Sequence, residues 1–309
     1  MILTWIYAVG ALVIVLGVAY GIHSQMNGLV GSQGLLGSDK PTLWWFVDDS
    51  QVNSREWLDW GNRDTREPNE PYLQICQKRA VSMWSRDFTV RPVIGRQAAL
   101  ALLKDAPPEV YLTPPALWMP WCRAAFLTQY GGLWLDGSVL PVSADLMKRV
   151  QGVDVMTFGS DPDEGLSASE ETVPAAGRSA GWAAVPNHPM WAGIQRDLGL
   201  LVSQGPASWS APEARRSLRT LWDKHCSGVT RIDRAAEVGR DKYGRRLELD
   251  TLLGQTEWTD GSLEGGVWVS WPDGRDGLER AVPWQWFTRL SEEQIRESDF
   301  VWAKWATRS

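Results

Sequence analysis

The first 38 residues of this 309-residue chain carry no charged side chain, and residues 2–22 form an apolar run in which only Thr4 is polar. A helix rises about 1.5 Å per residue, so this run would span about 30 Å, the thickness of a membrane's hydrocarbon core. A cleavable signal peptide, the main alternative, would have a basic start, a shorter apolar core and a small-residue cleavage site. The terminus has no Lys or Arg. The sequence therefore predicts a single-pass transmembrane anchor over residues 2–22.

The rest of the chain divides into a short linker and one large domain. Residues 23–40 are rich in Gly and Ser, which is typical of a flexible linker, and residues 41–309 are long enough for a substantial core. The whole chain is 44% hydrophobic and 22% charged, a balance that excludes a disordered protein. Its net charge of −6 argues against a nucleic-acid partner, which would require a clustered basic surface.

Tryptophan is unusually frequent, with 20 residues, whereas cysteine is rare. Trp packs cores and also stacks on sugars, so we expect most of these rings in the core and a few in a binding cleft. The three cysteines, Cys76, Cys122 and Cys226, have no metal-binding spacing, and we expect buried thiols. One disulfide stays open as an alternative if the domain lies in an oxidising compartment.

Strand-like and helix-like segments alternate after Pro41, which predicts an α/β sheet. Residues 42–49 form an apolar strand that ends in Asp48 and Asp49, and residues 88–95 form a second strand that Pro92 places at a sheet edge. Ligands of such sheets bind beyond the carboxyl ends of the strands, so acids at those ends are candidate site residues.

Two local patterns stand nearer the C-terminus. The charged, Gly-containing stretch of residues 239–266 predicts a hairpin or a loop. Ser291 followed three residues later by Gln294 has the spacing of a capping box, which predicts the start of a helix.

The densest signal lies between Arg123 and Asp136. A helix that contains Arg123 stops at Gly131-Gly132, and a strand then leads to Asp136 in an Asp-Gly-Ser turn. An aspartate at a strand tip can contact a divalent cation or a sugar hydroxyl. An arginine one helix away can pair with phosphate oxygens through its planar fork. An Asp-Gly turn is also a common plain turn, so the spacing alone leaves that alternative open.

The pattern Arg-x6-Tyr-Gly-Gly-Leu-Trp-Leu-Asp, from Arg123 to Asp136, resembles the signature of glycosyltransferases with a GT-A fold. The most similar groups are the capsular-polysaccharide-synthesis proteins and the family 32 sugar transferases with an Asp-x-Asp motif. The strand of residues 42–49 and the segment 181–198 also fit this resemblance. It implies a GT-A-like, Rossmann-type mixed sheet flanked by helices, a nucleotide-sugar donor, and a divalent metal, Mn²⁺ or Mg²⁺, held by Asp136.

Two positions depart from the pattern of those families. Ser138 stands where the second acid of the Asp-x-Asp motif would be, and Pro120 stands where many relatives have an acid three residues before the arginine. Capsular-type members often have only the first acid.

The resemblance makes Asp136 and Arg123 the candidate catalytic residues. Five further residues are candidates for substrate binding: Asp48, Asp49, Trp134, Ser138 and His188. Trp134 alternates with Leu133 and Leu135, and core packing is its default interpretation. His188 follows a predicted strand, where it lies either near the cleft or at the start of a helix.

The resemblance implies a membrane-anchored glycosyltransferase that moves a sugar from a nucleotide-sugar donor to a glycan, lipid-linked or protein-linked acceptor. Its location would be the Golgi or endoplasmic reticulum in a eukaryotic or viral host, and the inner membrane in a bacterium. Ser138 and Pro120 motivate an alternative, a catalytically degenerate, membrane-tethered relative that binds glycans or serves as a scaffold subunit. A third alternative is a structural membrane protein with an unrelated α/β domain.

Overall fold

A computed structural model describes most of the region after the linker. The described residues are 40–48, 70–152, 154–158, 181–206, 220–221, 224–225, 230–232, 247–254, 266–271, 278 and 281–307. Within these ranges no helix is both long enough and apolar enough to cross a membrane. The anchor of residues 2–22 lies outside the described residues, as does the linker apart from Lys40, so both stay predictions.

The described elements alternate between strands and helices along most of the chain. In chain order they are β1 (Thr42–Val47), α1 (Pro71–Trp84), β2 (Thr89–Ile94), α2 (Gly95–Leu102), α3 (Pro115–Gln129), β3 (Gly132–Asp136), β4 (Leu140–Pro141), α4 (Leu146–Val150), β5 (Val155–Phe158), β6 (Gly181–Ala184), α5 (Pro189–Ser203), β7 (Thr230–Ile232), α6 (Leu249–Leu252), β8 (Trp268–Val269), α7 (Glu292–Glu297) and α8 (Val301–Thr307). Two 3₁₀ helices, Pro108–Leu112 and Gln285–Arg289, complete them.

Six strands form one sheet in the order β2-β1-β3-β6-β5-β7. β1 pairs in parallel with β2 and β3, and β5 pairs in parallel with β7. β6 pairs antiparallel to both β3 and β5, so it alone runs against the other five strands. The prediction of a mixed α/β sheet flanked by helices is confirmed. The prediction that Pro92 places its strand at an edge is confirmed as well, since β2 is the first strand of the sheet.

Side chains alternate between the two faces of the sheet, and each face buries its own core. Trp44, Phe46 and Trp134 belong to the core beneath α2, α3 and α5, which we call the α3 face. Leu133 and Leu135 belong to the core that α1 and the C-terminal helices cover, which we call the α1 face. The predicted alternation along β3 is therefore confirmed, and three layers hold the molecule together.

Tryptophan supplies much of both cores, as expected. The fully buried tryptophans are Trp44, Trp45, Trp84, Trp118, Trp121, Trp182, Trp191, Trp268 and Trp302. Their rings meet mainly edge to face, as in the 5.2 Å contact between Trp182 and Trp191, a geometry that aromatic quadrupoles favour. Cys76 and Cys122 are buried free thiols, as predicted, whereas Cys226 lies outside the described residues.

Two glycines make the link from α3 to β3 possible. Gly131 and Gly132 have φ angles of +63° and +93°, a backbone region that residues with a side chain rarely adopt. A Cβ on Gly132 would lie 2.3 Å from the Thr42 carbonyl oxygen, and one on Gly131 would lie 2.6 Å from Pro186 Cδ. The Gly-Gly pair thus ends the helix, as predicted, and also lets β3 approach β1 and the end of β6.

The C-terminal region differs in part from the sequence prediction. A capping box at the start of α7 is confirmed, because Ser291 Oγ accepts a hydrogen bond from Gln294 N while Gln294 Oε1 accepts one from Ser291 N. A hairpin or loop was expected over residues 239–266; the described part of that segment, residues 247–254, instead contains the short helix α6. Leu252 is buried there, so packing against the core favours helix locally.

Replacing Gly132 with Ala will destabilise the fold far more than the same change at Gly152. Both have positive φ angles, of +93° and +78°, but a Cβ at Gly152 meets nothing within 4 Å. Backbone strain alone costs about 1–2 kcal/mol. The clash with Thr42 should raise the cost of Gly132→Ala by at least about a further 2 kcal/mol. Equal losses in urea unfolding of the two variants would show that β3 does not lie this close to β1.

Candidate functional site

The parallel strands β1, β2 and β3 end at the same edge of the sheet, which we call the carboxyl edge. Three charged residues lie there: Asp48 follows β1 directly, Arg96 begins α2 just after β2, and Asp136 is the last residue of β3. Phe46 is the register partner of Asp136, so the two aspartates belong to adjacent strand ends. Asp48 is only 9% exposed. This edge is where sheets of this kind bind ligands.

The Asp136-Gly137-Ser138 turn is held tightly against β1. Gly137 N donates a 2.6 Å hydrogen bond to Phe46 O. A Cβ on Gly137 would lie 2.4 Å from Val47 Cγ2, so glycine is required for this approach. Gly137 could be a plain turn residue from its sequence alone. In the structure it fixes the position of Asp136, the residue before it.

Ser138 orients the carboxylate of Asp136. Its backbone N–H and its hydroxyl both donate to Asp136 Oδ1, at 2.7 and 2.6 Å. No hydrogen bond reaches the other oxygen, Oδ2, from the described part of the chain. Ser138 is 2% exposed, so it positions Asp136 from below rather than facing a ligand itself. One carboxylate oxygen is thus fixed and the other is left for a ligand.

Arg123 lies in the middle of α3, and no ion pair joins its guanidinium to another described residue. Its Nε and Nη1 are buried, and neither nitrogen finds a hydrogen-bond acceptor among the described residues. The guanidinium carbon lies 5.4 Å from the centre of the Trp182 ring, a cation–π distance. Pro120, one turn earlier inside the same helix, stands where an acid could have paired with Arg123. Arg123 as a whole is half-buried, and a cation whose buried nitrogens are unpaired is costly unless an anion joins it.

Burial lowers the pKa of Arg123 to about 10, and the charge of Asp136 raises it in part. The carboxylate of Asp136 is thus close enough to raise the pKa of the guanidinium. No hydrogen bond or ion pair joins the two side chains in the described structure. Because the folded chain holds this proton less tightly than the unfolded chain, Arg123 opposes folding at every pH below about 10. The penalty shrinks only as the pH rises above that value.

Cys122, on α3, lies within electrostatic range of several charged residues of this edge. Burial raises the pKa of its thiol, the charges of Arg123 and Arg96 lower it, and that of Asp48 raises it. Charges act over longer distances in a protein interior than in water. Asp48 and both arginines therefore contribute to one electrostatic environment around this part of α3.

Arg96 belongs to this group but was not among the residues that the sequence indicated. Its Nη1 donates to the carbonyl oxygens of Val110 and Tyr111, at 3.3 and 2.8 Å, and its guanidinium lies 4.7 Å from the centre of the Trp118 ring. The sequence did contain a signal for Arg96, because a charged residue just after a parallel strand lies at the carboxyl edge. That signal could be interpreted only once β2 was known to pair in parallel with β1.

Trp134 and His188 lie away from this group. Trp134 is 4% exposed and stacks on Phe46 at 4.7 Å, so it is a core residue, its default interpretation. His188 lies at the opposite edge, because β6 runs antiparallel and its last residue, Ala184, pairs with Gly132. There His188 is the N-cap residue of α5, and its Nδ1 accepts a hydrogen bond from Met190 N. Burial lowers its pKa, and Asp154 raises it in part.

The residues that could hold a metal ion at the carboxyl edge are two carboxylates, Asp136 and Asp48. No group of three or more His, Cys, Asp or Glu side chains with metal-binding geometry occurs among the described residues. Mg²⁺ sites often use one or two carboxylates together with the phosphates of a substrate. The donor set therefore fits a cation that arrives with a phosphorylated ligand. Asp49, the remaining predicted residue, lies outside the described ranges.

Replacing Arg123 with Met will leave the free energy of unfolding unchanged or raise it by up to about 2 kcal/mol, because it removes an unpaired buried charge. Arg79→Met is the matched control. Arg79 Nε donates to Pro141 O at 2.7 Å, so its loss should cost about 2 kcal/mol. Denaturant unfolding at neutral pH measures both. If Arg123→Met is as destabilising as Arg79→Met, Arg123 is a structural residue.

Comparison of the chain with protein-family models, with curated proteins and with solved structures finds no match. The resemblance of Arg123–Asp136 to glycosyltransferases therefore stays a prediction from the motif.

Proposed function

We propose that this protein is a glycosyltransferase with a GT-A-like fold, anchored to a membrane by residues 2–22, that transfers a sugar from a nucleotide-sugar donor. The observation that carries the proposal is the presence, on one face of the carboxyl edge, of an oriented carboxylate, Asp136, and of the guanidinium of Arg123, whose buried Nε and Nη1 have no acceptor in the described structure. The acceptor is a glycan, a lipid-linked sugar or a protein.

The charges of this edge suit a sugar diphosphate better than a neutral ligand. Departure of a nucleoside diphosphate leaves negative charge on its phosphate oxygens, and a preorganised cation stabilises the charge as it develops. The guanidinium of Arg123 already lies in a low-dielectric position, where its interaction with an anion is stronger than in water. Binding would also relieve the cost of burying the charge alone. The attraction between Arg123 and the leaving group is therefore strongest when the leaving group is most negative.

Asp136 would hold a divalent cation, Mn²⁺ or Mg²⁺, through the oxygen that Ser138 leaves free, and Asp48 is the second carboxylate within this edge. When bound, such an ion neutralises a departing diphosphate as a Lewis acid. The Ser138 hydrogen bonds to Oδ1 keep the carboxylate in one orientation, and the packed turn at Gly137 limits its movement. Preorganisation of this kind is what a charged ligand requires.

Asp136→Asn will lower nucleotide release by at least about 10-fold, equivalent to about 1.4 kcal/mol, because an amide keeps the size but not the charge that a hard cation needs. The assay incubates the full-length protein in detergent with a panel of nucleotide sugars and Mn²⁺. Asp145→Asn is the control, since the Asp145 side chain is 56% exposed and pairs with Lys148 at the protein surface. If both variants keep full turnover and native melting temperatures, Asp136 is not in the site.

The alternative, a degenerate glycan-binding or scaffold protein, is favoured by one specific observation. Ser138 replaces a second acid and occupies Asp136 Oδ1 with two hydrogen bonds, leaving fewer oxygens for a metal ion. Thermal shift measurements separate the two functions. The enzyme predicts stabilisation by nucleotide sugars that increases with Mn²⁺, whereas the alternative predicts stabilisation by glycans and no response to nucleotides. A metal-independent nucleotide response with turnover would support catalysis by Arg123 without the cation.

A further inference from the structure

Three large apolar side chains are strongly exposed near the carboxyl edge. Leu112 is 80% exposed and Tyr111 54% exposed in the 3₁₀ helix Pro108–Leu112, and Leu200 is 61% exposed near the end of α5. These two elements contact each other. Single exposed apolar residues are ordinary, but large ones on adjoining elements form a surface that water disfavours. We call Tyr111, Leu112 and Leu200 the apolar rim.

The apolar rim lies beside the candidate site. Arg96, a residue of that site, donates hydrogen bonds to the Val110 and Tyr111 carbonyl oxygens, which ties the 3₁₀ helix to the carboxyl edge. α5 starts at the opposite edge, next to β6, and runs back across the α3 face. A Cβ on Gly199, the neighbour of Leu200, would lie 3.6 Å from Nε1 of Trp121, two residues before Arg123. Both parts of the rim therefore adjoin the turn of α3 that holds Arg123.

We propose that the apolar rim inserts into the surface of a lipid bilayer, so that the carboxyl edge works at the level of the lipid headgroups. The choice of a bilayer over a protein partner rests on the proposed anchor, because the same chain begins with the uncharged apolar run of residues 2–22. Leu and Tyr side chains on a tethered domain gain free energy by burial at the boundary between headgroups and acyl chains. This proposal concerns the membrane and does not depend on which reaction the site performs.

The linker is long enough for this orientation. The 18 residues from 23 to 40 reach at most about 60 Å when extended. They join β1 at the amino edge, and a six-residue strand such as β1 separates the two edges by only about 20 Å. The rim can therefore meet the same bilayer that holds the anchor. Because the domain is tethered, its local concentration at that bilayer is high, and weak insertion is sufficient.

The test places an environment-sensitive fluorophore on the rim of the full-length protein. Leu112→Cys and Leu200→Cys are each labelled with NBD, in a chain with Cys226→Ser, because Cys76 and Cys122 are buried. Val81→Cys is the control; Val81 is 43% exposed on α1, across the sheet from the rim. The proteins are reconstituted into phosphatidylcholine vesicles with and without a lipid that carries a spin label on its acyl chain, and vesicle flotation confirms reconstitution.

The proposal predicts that NBD emission at both rim positions shifts to the blue and is quenched by the spin-labelled lipid, whereas NBD at Val81 shows neither effect. Emission typical of water at both rim positions, in protein that floats with the vesicles, would overturn the proposal. Failure to float would overturn the anchor of residues 2–22 and, with it, the proposal. A blue shift that grows with protein density and resists the spin-labelled lipid would overturn it too, since a second copy of the chain would then cover the rim. Nucleotide release in detergent is unaffected by these outcomes, so the proposed reaction is tested separately.

Discussion

Strand β3 can lie against β1 only because glycine stands at both of its ends. At the start of β3, Gly132 packs directly against the carbonyl oxygen of Thr42. Just beyond the last residue of β3, Gly137 packs directly against the side chain of Val47. Any side chain at these places would force the strands apart or change the register. Since the register sets Asp136 opposite Phe46, the contact between backbones decides where the site's carboxylate lies.

The site then depends on an imbalance of charge. Other charged side chains of the described chain form ion pairs, as Asp197 does with Lys224 and His225. Arg123 is different, because its buried nitrogens find no acceptor in the described structure and Asp136 acts on it without an ion pair. Burying a cation in this way lowers stability, and a bound anion would recover part of that loss. For this reason we propose that a negatively charged ligand binds at the carboxyl edge.

Local features of the fold could be predicted from the sequence, and features that depend on pairing between distant segments could not. The helix stop at Gly131-Gly132 and the cap at Ser291 depend on neighbouring residues, and both were predicted. His188 was predicted to follow a strand, which it does, but β6 runs antiparallel and carries it to the opposite edge.

Arg96 illustrates the same limit at the site. It stands next to a predicted strand, but only the parallel pairing of β2 with β1 brings it to the carboxyl edge. Asp136 and Arg123 were indicated because the motif that joins them is short, and the helix and strand between them are held by local glycines. The hydrogen bonds of Ser138, by contrast, required the packed geometry of the turn.

Photo-cross-linking tests most directly the claim that the carboxyl edge of the α3 face binds a sugar-nucleotide diphosphate. A nucleoside diphosphate analogue with a photoreactive group on its terminal phosphate is irradiated with the full-length protein, and the modified peptides are mapped by mass spectrometry. The account predicts adducts in the peptides that contain Arg123 and Asp136, lost in the Arg123→Met variant and suppressed by excess unlabelled nucleotide. Adducts confined to the opposite edge, around His188, or labelling that Arg123→Met leaves unchanged, would contradict it.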